Sequence, residues 1–305
     1  MQRFHLDRLP QYEPTKNGLL IRAPAKINLG LLIAGKREDG FHDLESIMCT
    51  ITLYDEILIE AIPGHDIELS CTGAYWAPEN QDNLVYKSAK MFCSQFNIHQ
   101  GFRITLKKQI PAGSGLGSAS SDAASTLLGL NRITEIHKTI QELEPLAATL
   151  GSDVSFFLHG PLAFCSGRGE VVRKMEAIDD FDVVLILPNL NVSTAAVYKH
   201  YNHNPEQFQH LRNIFQHLIH KKRVDLIPEM CTNMLQESCF NQFPELEKLK
   251  LEIESSGIGP LCLSGSGSTL FCLNKQNKIQ DASIVSRTNV DLISYEIVWA
   301  KNNVW

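Results

Sequence analysis

Between Pro111 and Asp122 the chain reads PAGSGLGSASSD, with glycines at 113, 115 and 117 and serines at 114, 118, 120 and 121. A loop of that composition can turn several backbone N–H groups toward one anion, and a helix starting behind it adds the positive end of its dipole. Glycine suits the task because a side chain would keep phosphate oxygens away from the backbone. Pro111, Ala112, Gly113, Ser114, Gly115, Leu116, Gly117, Ser118, Ala119, Ser120 and Ser121 are therefore a candidate phosphate cradle, while a plain tight connection accounts for such a run equally well. Two familiar phosphate loops are excluded. No Gly-Lys-Ser/Thr closes the run, so it is not of the Walker type. Glycines at 113, 115 and 117 followed by Ala119 do not fit the Rossmann spacing.

Three other places carry unusual polarity. In Ala23-Pro-Ala-Lys-Ile-Asn-Leu29 an otherwise apolar stretch is interrupted by Lys26 and Asn28, which strand alternation puts on one face; a lysine there can also snorkel to solvent. Asp153 follows Gly151-Ser152 at the start of a helical pattern. A carboxylate kept ionised by a nearby lysine can accept a hydroxyl proton, and an aspartate at a helix start can equally serve the backbone. Ser264, Gly265, Ser266, Gly267 and Ser268 form a second small-residue cluster between two apolar stretches. By itself that cluster is a hairpin turn. A glycine loop, a lysine and a carboxylate brought together are what phosphoryl transfer asks of a protein, since its catalysis is chiefly positioning and charge stabilisation.

The elements that must hold these residues alternate in type. LLIRAPAKINLGLLIAG, SIMCTITLYDEILIEAI, DIELSCTG and GFRITLKKQI read as strands of a half-buried sheet. NLVYKSAKMFCSQFN repeats apolar residues at helical spacing, and SSDAASTLLGLNRI reads as a helix capped by a serine. TIQELEPLAATLGSDVSFFLHG reads as a helix stopped at Gly151 and a short helix with Ser152 as its cap. Farther on, FDVVLILP is a buried strand, RVDLIPEMCTNMLQESCF and FPELEKLKLEIESSG are helical, and PLCLSGSGSTLFCLN is strand, turn, strand. The class is α+β. A length of 305 residues favours two domains, divided here as an extension over 1–19, a first domain over 20–175 and a second over 176–305.

Composition narrows the partners. With 44% hydrophobic and 20% charged residues the chain has the make-up of a soluble enzyme. A net charge of -6 gives no general attraction for nucleic acid or anionic lipid, so an anionic ligand must be met by a local site. The polar first residues, MQRFHLDRLPQYEPTKNG, have neither the apolar core of a signal peptide nor a spanning helix, and a cytoplasmic location with no membrane partner is expected. The eight cysteines show no two-residue gap and read as reduced, mostly buried thiols. His200, His203, His210, His217 and His220 read as a solvated loop and helix face, and no metal ligand is assigned.

Taken in order, APAKINLGL, Gly40-Phe41-His42-Asp43-Leu44, GLGSASSDAA, LGSDVSFFLHGPLAFCSGRGE and LSGSGS resemble the GHMP kinase superfamily over residues 20 to 275. Within it, the lysine–asparagine pair followed by glycine, aromatic and histidine is similar to the branch whose alcohol is a cytidine diphosphate linked sugar alcohol. The resemblance implies a ribosomal-protein-like N-terminal domain, a ferredoxin-like C-terminal domain and an active site between them. It implies transfer of the γ-phosphoryl of ATP, with Mg2+, to the 2-hydroxyl of a cytidylated methylerythritol in the non-mevalonate route to isoprenoid precursors. Asp153 then matches the catalytic base and Lys26 the lysine paired with it. Asn28 matches a polar neighbour, and the late loop Ser264, Gly265, Ser266 and Gly267 belongs to the substrate side. Phe41, His42 and Tyr198 match the residues that hold the cytosine.

The sequence departs from the family pattern in places. Ser118 and Ala119 stand where glycines are common, Ser155 where a proline or small residue is, and Phe41 where tyrosine is commoner. Residues 1–19 have no assigned counterpart. Kinases of the same superfamily for homoserine or mevalonate, and a catalytically silent binding member, are the alternatives; a base-stacking trio argues against the first and retention of Lys26, Asp153 and both loops against the second. Monomer and homodimer stay open.

Overall fold

The computed structural model describes residues 11–176, 181–223, 226–227, 232–273 and 295–301. The first part of the chain builds one sheet from β1 (Tyr12–Pro14), β2 (Gly18–Lys36), β3 (His42–Ile62), β4 (Ile67–Gly73), β5 (Gly101–Lys108), β6 (Leu162–Gly167) and β7 (Val171–Lys174). Its order is β1-β2-β3-β5-β4, with β6 pairing β3 and β7. Strand β3 thus has two neighbours on one edge, β5 along residues 56–62 and β6 along 44–49. Four helices accompany this sheet: α1 (Leu84–Gln95), α2 (Ser118–Ile133), α3 (Ile140–Leu150) and α4 (Ser152–His159). The second part forms a four-stranded sheet, β11-β8-β10-β9, from β8 (Asp182–Pro188), β9 (Cys262–Leu263), β10 (Leu270–Leu273) and β11 (Tyr295–Lys301). It is accompanied by α5 (Thr194–Lys199), α6 (Pro205–His220), α7 (Gln236–Gln242) and α8 (Pro244–Ser255).

Strand β2 is buried on both faces from Ile21 to Ile33, not alternately as a half-buried strand would be. The reason is that it runs through two cores. Leu19, Ile21 and Ala23 pack with Ile57, Ile59 and Phe102 and with Ala123, Leu127 and Leu130 of α2. Ala25, Ile27, Leu29 and Leu31 pack with Val183, Leu185 and Phe271 of the second sheet and with Phe215 of α6. The pairing with β3 shifts register between Pro24 and Ala25, so the strand passes from one core to the other at a bulge, and Lys26 lies just beyond it. Bulges commonly re-aim a side chain next to a site.

Two helix starts differ from the sequence expectation. Helix α2 has no serine cap: Gly117, at φ 71° in the left-handed region, occupies the cap and no side chain satisfies the first turn. Ser152 is likewise the first residue of α4, and Gly151 its cap, again with no side-chain bond. Both helices leave their N-terminal N–H groups open, which is where a side-chain cap would compete with an anion. In RVDLIPEMCTNMLQESCF the described helix is only α7; residues 224–225 and 228–231 lie outside the described residues.

The five histidines of the 200–220 region are exposed. Cys49, Cys165, Cys239, Cys262 and Cys272 are buried and Cys71 and Cys93 partly so, while Cys231 lies outside the described residues. Burial pushes the Cys49, Cys165 and Cys239 thiols up to about 12, which suits inert core residues. Among the described residues no helix is long and apolar enough to cross a membrane.

Candidate active site

The bulge in β2 turns Lys26 into the space between the glycine loop and α4. Its ammonium is 4% exposed and donates to Asn28 Oδ1 at 2.6 Å and to the Gly115 carbonyl at 2.8 Å. Asp153 Oδ2 lies 3.7 Å away. Burial pushes the Lys26 ammonium below its ordinary value, and the Asp153 charge opposes that. The snorkelling alternative is therefore excluded: this lysine is held inside by three oxygens. Asn28 is aimed by its own donor, since its Nδ2 binds Ser46 Oγ at 2.8 Å and Ser46 Oγ donates to the Gly30 carbonyl at 2.8 Å.

The glycine loop is fastened on the same side. Lys26 N–H donates to the Leu116 carbonyl and Thr269 N–H to the Ser114 carbonyl. Ser264 Oγ donates to the Gly115 carbonyl at 3.0 Å. The late cluster is indeed a turn between β9 and β10, and it packs directly on the first loop. A Cβ on Gly115 would lie 2.1 Å from the Ser264 carbonyl oxygen, so the close approach of the two turns depends on that glycine. Ser266 shares a 2.8 Å hydroxyl contact with Thr194.

Lys26, Asn28, Phe41, His42, Pro111, Gly113, Ser114, Gly115, Gly117, Ser118, Ala119, Ser120, Asp153, Tyr198, Gly265 and Ser266 all line one cavity of about 810 Å³. That volume is within the range of ordinary ligand sites. Five expected residues do not line it. Leu116 is a fully buried core side chain, drawn inward by its apolar character. Ser121 is buried behind the first turn of α2, Ala112 points to solvent, and Ser264 and Gly267 sit behind the late turn.

Phe41 and His42 come from the turn joining β2 to β3, closed by Arg37 N–H donating to the Phe41 carbonyl at 2.8 Å with Gly40 at φ 86°. The His42 ring lies 5.3 Å from Tyr198 and 6.0 Å, edge-on, from Tyr201. Phe41, 53% exposed, has the Arg168 guanidinium 5.0 Å over its ring. Burial, then Lys36 and His203, hold the His42 imidazole below its ordinary range. That environment favours its neutral form, which has one donor and one acceptor nitrogen.

Arg168, Lys36, Lys199, Thr194 and Tyr201 also line the cavity and were not singled out by sequence reasoning. Arg168 stands between two glycines in the segment SGRGE, which was the available signal. With Lys26 these cations make a locally basic cavity in a chain of net charge -6, the local site that an anionic ligand requires.

Comparison with known proteins agrees with this geometry. Residues 83–161 match the family described as GHMP kinases N terminal domain, and residues 215–289 match GHMP kinases C terminal. A 4-diphosphocytidyl-2-C-methyl-D-erythritol kinase of Bacillus cereus (strain B4264) is 38% identical over 255 residues, 84% of this chain and 88% of its own. One of Bacillus pumilus (strain SAFR-032) is 36% identical over 266 residues, 86% and 90% of the two chains. The crystal structure of a 4-(cytidine 5'-diphospho)-2C-methyl-D-erythritol kinase superposes with a TM-score of 0.71 at 29% identity, covering 93% of this chain and 100% of that one. A homoserine kinase from Cytophaga hutchinsonii shares the fold, with a TM-score of 0.76 at 17% identity over 97% of this chain and 98% of its own. By its two GHMP domains and its identity to these relatives over most of its length, the chain belongs to the 4-diphosphocytidyl-2-C-methyl-D-erythritol kinase family of GHMP kinases.

Proposed function

We propose that the chain transfers the γ-phosphoryl group of ATP to the 2-hydroxyl of 4-diphosphocytidyl-2-C-methyl-D-erythritol, in the non-mevalonate route to isoprenoid precursors, and that it does so in the cytoplasm. The observation that carries this reading is Lys26, whose one buried ammonium touches the glycine loop, Asn28 and Asp153 together. ATP fits the loop side: the uncapped first turns of α2 and α4 and the glycines with positive φ leave backbone donors free for phosphates. Asp153 accepts the proton of the attacking hydroxyl, and Lys26 holds that carboxylate and offsets charge developing on the transferred group. The hydroxyl oxygens that line the cavity beside the loop, Ser120 and Ser152, suit Mg2+, which would supply further neutralisation of the phosphates. The assay is ATP consumption across alcohols. Turnover is expected with the cytidylated methylerythritol; turnover with homoserine or mevalonate instead, or with none, overturns the proposal.

The cytosine falls to Phe41, His42 and Tyr198. Aromatic stacking contributes about 1–3 kcal/mol per base in nucleic-acid binders, and it does not separate cytosine from uracil. A neutral His42 offers an acceptor for the cytosine amino group and a donor for its ring nitrogen or carbonyl. Phe41→Ala and Tyr198→Ala are therefore expected to raise KM for the cytidylated substrate by about tenfold or more while sparing KM for ATP. His42→Ala is expected to lose preference over the uridine analogue. Steady-state kinetics with each substrate varied in turn decides this; equal damage to both KM values, or intact cytosine preference without His42, counts against this base pocket.

A further inference from the structure

Directly beneath the glycine loop lies a set of buried charges that the phosphoryl-transfer scheme above does not use. Asp55, on β3, is completely buried. One of its oxygens accepts the backbone N–H groups of Gln109 at 2.5 Å and Ile110 at 2.9 Å. The other accepts Ser118 Oγ at 2.9 Å and the ammonium of Lys108. Lys108, 3% exposed, also donates to Ser118 Oγ and to Asp122 Oδ2, the latter at 2.6 Å. Gln109 and Ile110 are where the chain leaves β5 for the loop, and Ser118 is where it enters α2. One carboxylate therefore grips both ends of the glycine run.

We infer that Asp55 is the positioning residue of the phosphate loop: it closes residues 109–118 into a ring of fixed span, so that the N–H cradle for ATP exists before the nucleotide arrives. The inference rests on the kinase reading above. A loop tied at both ends has less freedom to lose on binding, which is how preorganisation raises affinity. A purely architectural ion pair would need only Lys108; the contacts to Gln109, Ile110 and Ser118 give Asp55 its hold on the loop. The charges also suit an anion above them. Burial, then the neighbouring Asp55, raises Asp122 well above the ordinary carboxylate range, with Lys108 opposing. The Lys108 ammonium, set against both carboxylates, offsets negative charge beneath the loop.

The test uses the whole enzyme and separates binding from turnover. Wild-type protein is first titrated with a non-hydrolysable ATP analogue; failure to bind overturns the kinase reading, and the inference with it. Given binding, Asp55→Asn is expected to raise Kd for the analogue and KM for ATP about tenfold, with KM for the alcohol within about twofold of wild type. Ser118→Ala, which removes one tie and no charge, should raise KM for ATP about threefold. The double variant should be little worse than Asp55→Asn alone, because both remove one connection. Unchanged analogue affinity in Asp55→Asn, equal rises in both KM values, or fully additive effects overturn the inference. Should Asp55→Asn fail to fold, Ser118→Ala decides: a rise confined to ATP supports it, and an unchanged KM for ATP overturns it.

Discussion

Replacing Asp153 with asparagine is expected to cut turnover by about a hundredfold or more, the usual contribution of a general base. The amide keeps the shape and one acceptor oxygen but cannot take the hydroxyl proton. It also withdraws the negative charge 3.7 Å from a lysine that is almost wholly buried. Lys26 keeps its bonds to Asn28 and Gly115, so its position, and with it the glycine loop, should persist. Nucleotide affinity is then nearly unchanged while kcat collapses, the pattern of a group that acts in the transition state alone. The measurement is kcat at saturating substrates together with a nucleotide titration of the same preparation. Near wild-type turnover would remove Asp153 from the role of base.

The second large effect is expected at Gly115. Its φ of +80° is a conformation that side-chain-bearing residues adopt at a cost of about 1–3 kcal/mol. A Cβ there would stand 2.1 Å from the Ser264 carbonyl oxygen and 3.1 Å from that of Gly267. These are backbone atoms, which cannot swing aside. Gly115→Val must therefore part the two turns or flip the loop peptide, and either change misdirects the donors and the carbonyl that Lys26 holds. Nucleotide affinity is expected to fall about tenfold or more, with turnover falling beside it. Gly113→Ala is the internal comparison. Its Cβ would meet only the tip of the Asn191 side chain, at 2.9 Å, so although φ is also positive the added atom finds a movable neighbour. Equal, undiminished affinity in folded Gly115→Val would show that the phosphates bind elsewhere.

Much of the site was legible in the sequence because its parts are chemically out of place. Lys26 and Asn28 interrupt an apolar strand, three glycines crowd one turn, and Asp153 opens a helix with no apolar role. What escaped were residues whose types are ordinary and whose neighbours are distant. Asp55 and Lys108 lie in strands that read as alternating, and nothing local says that they meet beneath the loop; they are 53 positions apart. Arg168 and Lys36 are charges of ordinary type in the sequence, and only the fold brings them to the cavity. The caps of α2 and α4 were misread for a related reason. Serine is the commoner cap, but a helix start that faces a ligand leaves its donors open, and glycine then takes the place. Strand β2 is expected to be half-buried, yet its run from Ile21 to Ile33 is largely apolar without alternation, the pattern of a strand covered on both faces.

The fastening of the glycine loop also sets the order in which the molecule can be assembled. Lys26 reaches Gly115 across 89 positions of sequence, and Ser264 reaches it across 149. Contacts of such separation close large loops and are formed late in folding. During synthesis the first sheet and its helices, with the Asp55 and Lys26 ties to the loop, can gather as soon as β7 has emerged, whereas the ties from Ser264 and Thr269 are added only after those residues have left the ribosome. A nascent chain thus carries an unfinished nucleotide site for most of its elongation. Once the site is complete, bound ATP raises the stability of the whole by mass action.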